Sequence, residues 1–295
     1  MIKFKFLTIL LLFISSLYSQ ESHEFFGVLK LNGDIKSMIS YRLVFDESNG
    51  KIYGYSITDL DGEHETKNII IGSYNKTTHE LNFKEREILY TKSSISPSSF
   101  CFINFIGKVK LDDGNNKLEG KFKGQFDTGE VCINGDISLL GLAKIEKNVA
   151  KIQTKIDKTN RLDQATKDKV NPTKMLDSLK INKLNKDENL NVFWNSDDIK
   201  LAVWDAGQQD GDIINLYHNG KIILSKYKIT NKKKYINVKF KEGKNTFQIE
   251  ALNEGEITPN TSQIELEDSG RVFELMANIK QGEKTQITII KKEPI

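Results

Sequence analysis

The sequence is poor in the residues that build catalytic and metal centres. It contains only four histidines and two cysteines among 295 residues. The histidines are scattered without the spacing of zinc ligands, and two cysteines alone cannot complete a structural zinc site. A Gly-x-Ser-x-Gly nucleophile turn and a glycine-rich phosphate loop are also missing. We therefore predict no catalytic residues and favour a non-enzymatic role.

The chain also lacks an excess of charge of one sign. Its 43 lysines and arginines face 40 acidic residues, which leaves a formal net charge of +3. Nucleic-acid-binding domains usually carry a strongly basic patch, so nucleic acid is not a predicted partner. The length fits two domains of roughly 100–200 residues each.

Long apolar runs are absent except at the N-terminus. There Lys3 and Lys5 precede the apolar run 7–14, and small residues follow it. This pattern predicts a signal peptide over residues 1–19, because the run is shorter than the ~20 residues of a membrane span. No cysteine follows that would carry a lipid, and no later segment is long enough to cross a bilayer as a helix. We expect an exported protein that is periplasmic, cell-surface or secreted; an uncleaved anchor is the alternative.

The two cysteines are Cys101 and Cys132. In an oxidising compartment such a pair favours a disulfide. Strand alternation places Cys101 on an inward row and Cys132 on the opposite face. A bulge near Asn134–Gly135 would reconcile the two positions, and we predict the bridge on that basis.

Residues 24–141 show the pattern of an antiparallel β domain. Short alternating segments are separated by Asn-Gly and Asp-Gly pairs, which favour hairpin turns. In the clearest segment, Leu118 and Phe122 face inward, while Lys121 and Lys123 face water. The strand density predicts a closed barrel or a sandwich. A small barrel is either filled with side chains or encloses a ligand, and both alternatives stay open.

Residues 142–188 change to a helical period and are rich in lysine. Apolar residues recur there at intervals of three and four, as on one face of a helix: Leu142, Ile145, Val149, Ile152 and Ile156. We interpret the segment as a helical connector that packs this stripe on a β domain. Alternatives are a homodimer through residues 142–156 and a membrane-surface helix, which the interspersed acidic residues disfavour.

Residues 189–295 return to short alternating strands. The strand density predicts an immunoglobulin-like or jelly-roll sandwich. Several motifs mark this region: Trp204-Asp205, Asp210-Gly211-Asp212-Ile213-Ile214, Asn219-Gly220, and Ala251-Leu252-Asn253-Glu254-Gly255 before Pro259. Together they resemble a recurrent β-sandwich module of exported proteins of Gram-negative bacteria, which carries no assigned activity. The resemblance covers only this part of the chain and implies location and fold.

The acidic loop of this module is the predicted metal site. Asp205, Asp210 and Asp212 would supply oxygen ligands to Ca²⁺, which takes six to eight of them. Their spacing does not match an EF-hand loop. The alternative is turn chemistry, in which Asp side chains accept hydrogen bonds from nearby backbone N–H groups. Calcium is the only cofactor that the sequence suggests.

The expected function is therefore binding, with a protein, a glycan or a small apolar ligand as partner. Aromatic residues such as Tyr53 and Tyr55 would suit sugars or peptides if they are exposed. One alternative is a carrier or inhibitor that uses the N-terminal barrel. Another is a hydrolase on a jelly-roll scaffold. Separately, Glu85 and Glu87 on a strand of the N-terminal domain could mimic a glycosidase acid/base pair, although solvated surface charge is the favoured interpretation.

Overall fold

The computed structural model describes residues 21–33, 37–112, 116–207, 209–241 and 243–292. The predicted signal peptide lies outside these residues. The described chain is mainly β, as predicted, with a short helical region between two groups of strands. None of its helices is long and apolar enough to cross a bilayer.

The first eight strands form a closed antiparallel barrel. They are β1 (Glu21–Leu31), β2 (Met38–Ser48), β3 (Lys51–Thr58), β4 (Thr66–Asn75), β5 (Glu80–Thr91), β6 (Phe102–Lys108), β7 (Lys117–Gln125) and β8 (Val131–Gly141). Strand order runs β5-β4-β3-β2-β1-β8-β7-β6, and β6 pairs again with β5, which closes the ring. The prediction of a barrel or sandwich is thus confirmed in its barrel form.

Alternating side chains build the barrel core. On β2, Tyr41, Leu43 and Phe45 point inward and are fully buried. Between β2 and β3, Asn49 and Gly50 both adopt positive φ, as a two-residue hairpin turn requires. The inward side chains pack against one another in one hydrophobic cluster. The barrel interior is therefore occupied by side chains.

The connector contains α1 (Leu142–Lys158), α2 (Gln164–Lys169) and α3 (Pro172–Ser178). At the start of α3, the Asn171 side chain accepts a hydrogen bond from Lys174 N and caps the helix. Helix α1 lies against α3 and touches β8 and β1, but none of its residues is fully buried. Ile152 in the apolar stripe is 49% exposed. Helix α1 is thus covered only in part, by α3 and by the barrel strands β8 and β1.

The remaining strands form two sheets that enclose a second core. They are β9 (Lys183–Leu184), β10 (Asn189–Trp194), β11 (Asp198–Trp204), β12 (Ile213–His218), β13 (Lys221–Lys228), β14 (Lys234–Lys239), β15 (Lys244–Ala251), β16 (Asn260–Asp268), β17 (Arg271–Ile279) and β18 (Lys284–Lys291). One sheet has the order β13-β12-β15-β18-β10 and the other β14-β11-β16-β17-β9. Strand β9 lies within the segment that was predicted as helical connector, residues 142–188. It pairs instead with the edge strand β17 and so belongs to the sandwich.

Barrel and sandwich share one hydrogen-bonded sheet. Strand β10 runs parallel to β18 on one side and pairs antiparallel with the end of β5 on the other, through Asn191 and Val192. Beside this junction, Arg271 of β17 forms ion pairs with Glu87 of β5 and with the buried Asp268. The backbone ladder and the ion pairs place β17 against the outer wall of the barrel.

Candidate functional site

A crevice of about 480 Å³ opens where the barrel, the end of the connector and the sandwich meet. Its barrel wall carries Arg42, Tyr55 and Lys67 from β2, β3 and β4. Residues 179–182 of the connector and 272–274 of β17 form the facing wall. The outer barrel face, which would otherwise meet water, is therefore half enclosed here. We call this space the junction crevice.

Lys67 is the central cation of the junction crevice. Its Nζ lies 3.8 Å from the centroid of the Tyr55 ring, within the range of a cation–π contact. Among the described residues it has no hydrogen-bond acceptor and no ion-pair partner. Burial, and next the positive charge of Arg42, lower the pKa of Lys67 from 10.5 to about 8. The ammonium is thus held in a place that favours its charge only weakly.

Buried acidic and phenolic groups form the floor beside Lys67. The Tyr90 hydroxyl donates to Glu65 Oε1 at 3.0 Å, and Asp61 N donates to Glu65 Oε2 at 2.7 Å. Burial raises the pKa of Glu65 and that of Tyr90. Since both carboxylate oxygens of Glu65 already accept hydrogen bonds, this residue holds the loop after β3 in place.

Arg42 ties the connector to the barrel. Its Nε donates to Glu24 Oε1 at 2.8 Å, and its NH1 group donates to the carbonyl of Lys180 at 3.2 Å. Its charge is therefore neutralised by Glu24. Next to this contact, Asn182 lines the crevice, and its buried Oδ1 atom has no hydrogen-bond partner among the described residues. The crevice thus offers Lys67 as an unpaired cationic donor and Asn182 as an unpaired acceptor, and its lining also includes the carboxylate of Glu274.

The acidic loop is built differently from the predicted calcium site. Asp205 Oδ1 accepts from Gly207 N at 2.8 Å, Asp210 Oδ2 from Ile257 N at 3.0 Å, and Asp212 Oδ2 from Thr261 N at 2.8 Å. Within the described ranges, no group of three or more His, Cys, Asp or Glu side chains is placed to hold a metal ion. A calcium site at Asp205, Asp210 and Asp212 therefore stays a prediction. Backbone capping, the alternative, describes these contacts.

Asp212 nevertheless lies in an unusual environment. It is 1% exposed, and its Oδ1 atom has no partner in the described part of the chain. Burial raises the pKa of Asp212 from 3.8 to about 6; Thr261 N opposes the shift, and the charges of Asp210 and Asp205 add to it. The three carboxylates are thus close enough to repel one another.

The cysteines lie at disulfide distance, with Cα atoms 6.1 Å apart. The bulge that reconciles their faces is at Cys132 itself, since Gly124 pairs with Ile133 and Gln125 with Val131. The predicted bulge position near Asn134–Gly135 is therefore wrong by two residues. A Cβ atom on Gly124 would come within 2.3 Å of Cys101 Sγ, so a side chain there is incompatible with the bridge.

The carboxylates considered for a hydrolase do not face one cleft. Glu85 is buried inside the barrel, where it accepts hydrogen bonds from Tyr41 Oη at 3.0 Å and Ile103 N at 2.8 Å. Burial raises the pKa of Glu85. Glu87 instead points out of the barrel toward Arg271 at 3.1 Å. The two residues are two positions apart on β5, but a register irregularity lies between them. Glu85 therefore contacts the barrel core, whereas Glu87 contacts the junction with the sandwich.

Sequence reasoning did not single out Lys67, Arg42 or Asn182. Lys67 stands at an outward position of β4, where a lysine normally meets water. The useful signal is Tyr55, an outward aromatic residue on the neighbouring strand, since an outward aromatic indicates something that covers it.

Comparison with protein-family models, with curated proteins and with solved structures yields no match to this chain.

Proposed function

We propose that the protein is an exported, non-enzymatic binding protein whose junction crevice takes a small ligand with a carboxylate and an apolar body. Lys67 carries the proposal, since its ammonium lies in a half-enclosed space against the Tyr55 ring and has no ion-pair partner among the described residues, although the charges of Glu65 and Glu274 favour its protonated form. A half-buried cation is costly unless it is paired. A ligand carboxylate would supply the missing partner and would raise the pKa of Lys67 toward its usual value.

The rest of the crevice suggests the remainder of the ligand. Ile57, Leu60, Ile181 and Val272 offer apolar contacts along the walls. The unpaired Oδ1 atom of Asn182 would accept a hydrogen bond from an N–H group. An N-acylated amino acid or the C-terminus of a short peptide combines a carboxylate, an N–H donor and an apolar side chain.

Export remains part of the proposal. It is supported by the predicted signal peptide over residues 1–19 and by the pairing of Cys101 with Cys132. A carrier role for the barrel interior gains no support, because inward side chains already pack there.

Isothermal titration calorimetry with N-acetyl-leucine tests the crevice, and N-acetyl-leucinamide is the matched neutral ligand. Lys67→Met should weaken binding by at least about tenfold, since a charge-assisted hydrogen bond contributes about 1.5–3 kcal/mol. It should not lower the melting temperature, because it removes a buried charge. Lys221→Met, on the exposed surface of β13, is the matched control and should bind as wild type does.

The pH dependence provides a further check. Because Lys67 loses its proton near pH 8 in the free protein, affinity for the carboxylate should fall as the pH rises above that value. Equal affinity for acid and amide, or equal losses in Lys67→Met and Lys221→Met, would contradict the proposal.

A further inference from the structure

A second surface lies on the outer face of the barrel, beyond the junction crevice. Two adjoining hollows of about 750 and 530 Å³ meet at Asn82 and Lys84. Backbone pairing places a row of outward residues along them, which follows the curvature of the barrel from β3 to β8: Tyr53, Ile71, Lys84, Asn104, Lys123 and Asn134. We call this surface the barrel groove.

The barrel groove is mainly cationic, with Asp46 as an acidic residue in its lining, and five of its cations have no ion-pair partner among the described residues. Lys84, Lys121 and Lys123 are exposed along it, and Lys51 and Arg86 lie at its β3 end. None of the five forms an ion pair with another described residue. In a chain whose charges nearly balance, five free cations on one face are a local feature that the net charge conceals.

Exposed apolar side chains accompany these cations. Tyr53 is 60% exposed and Ile106 64% exposed. Ile106 lies directly opposite Lys121, and Tyr53 directly opposite Ile71. Tyr53 and Ile71 thus form a small adjoining apolar patch at the β3 end of the groove, next to the cations.

From these features we propose that the barrel groove binds an acidic polysaccharide. The row crosses six of the eight strands, about 24 Å along the curved sheet at about 4.8 Å per strand, so the surface fits an extended chain that bends around the barrel and not a compact ligand. Lys84 and Lys123 stand two strands apart and would pair with successive carboxylates. The amides of Asn82, Asn104 and Asn134 suit sugar hydroxyls, and the Tyr53 ring suits the apolar face of a sugar.

Other anionic partners fit the groove less well. Binding of single-stranded nucleic acid normally uses several aromatic rings on which bases stack, whereas this row has only Tyr53. A membrane-binding surface needs a broad apolar side that enters the bilayer, whereas the row has only Tyr53 and Ile71 at its β3 end and cations and amides along the rest. The argument uses no residue of the junction crevice and does not depend on its ligand.

The test uses the full chain and a defined oligogalacturonate of about ten sugar units, long enough to cross the row. Binding is measured by calorimetry in low salt and in 0.3 M NaCl, with neutral dextran as the control ligand. We expect binding that weakens as salt screens the charges. Lys84→Gln with Lys123→Gln should reduce affinity at least about tenfold, as loss of two charge-assisted contacts would.

Matched variants keep the test specific. Lys221→Gln with Lys228→Gln removes the same charge from the sandwich and should leave affinity unchanged, while Tyr53→Ala should reduce it a few-fold. Circular dichroism confirms that each variant is folded. The proposal is overturned by an absence of oligogalacturonate binding, by equal losses in the two double variants, or by tighter binding to single-stranded RNA or to anionic phosphatidylserine vesicles.

Discussion

Neutralising Asp212 should stabilise the protein at neutral pH. Its carboxylate is 1% exposed, and one oxygen has no partner among the described residues. Asp212→Asn keeps an oxygen that accepts the hydrogen bond from Thr261 N but removes the buried charge. We therefore expect the variant to be more stable than wild type at pH 7.5.

The size and sign follow from the pKa of Asp212, which burial raises from 3.8 in the unfolded chain to about 6 in the folded protein. Two pKa units correspond to about 3 kcal/mol. Because the folded pKa is the higher one, the folded state binds the proton more tightly. The penalty is fully present above pH 6, and it disappears as the pH falls toward 4. The advantage of Asp212→Asn over wild type should therefore shrink over that interval.

Urea unfolding of both proteins from pH 4 to pH 7.5 measures the difference. Asp198→Asn, at an exposed position on β11, is the control and should show no comparable gap. A constant difference across this pH range, or a less stable Asp212→Asn at pH 7.5, would refute the reasoning. Repeating the pH 7.5 measurement in millimolar Ca²⁺ and in EDTA tests whether a cation neutralises the carboxylate instead. Stabilisation of wild type alone by Ca²⁺ would restore the calcium prediction.

Two further predictions concern the barrel and the connector. Gly124→Ala should lower the free energy of unfolding by at least about 2 kcal/mol, because its Cβ would overlap Cys101 Sγ. Gly207→Ala is the control and should change this free energy little, since no atom lies closer than 3.5 Å to its Cβ. Equal urea midpoints for the two variants would contradict the prediction. Ile152→Asp changes a side chain that is 49% exposed, and it should leave the melting temperature of a monomer nearly unchanged. Light scattering tests the homodimer through residues 142–156. A dimeric wild type that becomes monomeric in this variant would establish the homodimer, and a monomeric wild type would exclude it.

The barrel was predictable to a large extent because its determinants are local. Alternation along β7 assigns Leu118 and Phe122 to the core, and both are buried. Closure was not predictable, because it depends on pairing between β5 and β6 while β5 also pairs with β4 and β10. The bulge at Cys132 likewise depends on which residue of β7 lies opposite, and strand register is not a local property.

The junction crevice could not be predicted from strand patterns. An outward lysine such as Lys67 looks solvated until another part of the chain covers it. Here the cover comes from residues 179–182 and from β17, more than a hundred residues away in sequence. For the acidic loop, sequence identified the crowded carboxylates Asp205, Asp210 and Asp212. It did not identify their hydrogen-bond partners Ile257, in the loop before β16, and Thr261, at the start of β16.

The two proposed sites are neighbours because of strand geometry. Tyr53 and Tyr55 stand two residues apart on β3 and therefore share its outer face. A hollow of about 350 Å³ that both residues line connects the barrel groove with the junction crevice. The sandwich covers this face at Tyr55 and leaves it open at Tyr53, so one continuous face of the barrel serves a small enclosed site and a long open one. If the sites are separate, Lys67→Met should leave oligogalacturonate affinity unchanged, and the groove variants should leave N-acetyl-leucine affinity unchanged. A loss that carries over in either direction would mean that one ligand occupies both.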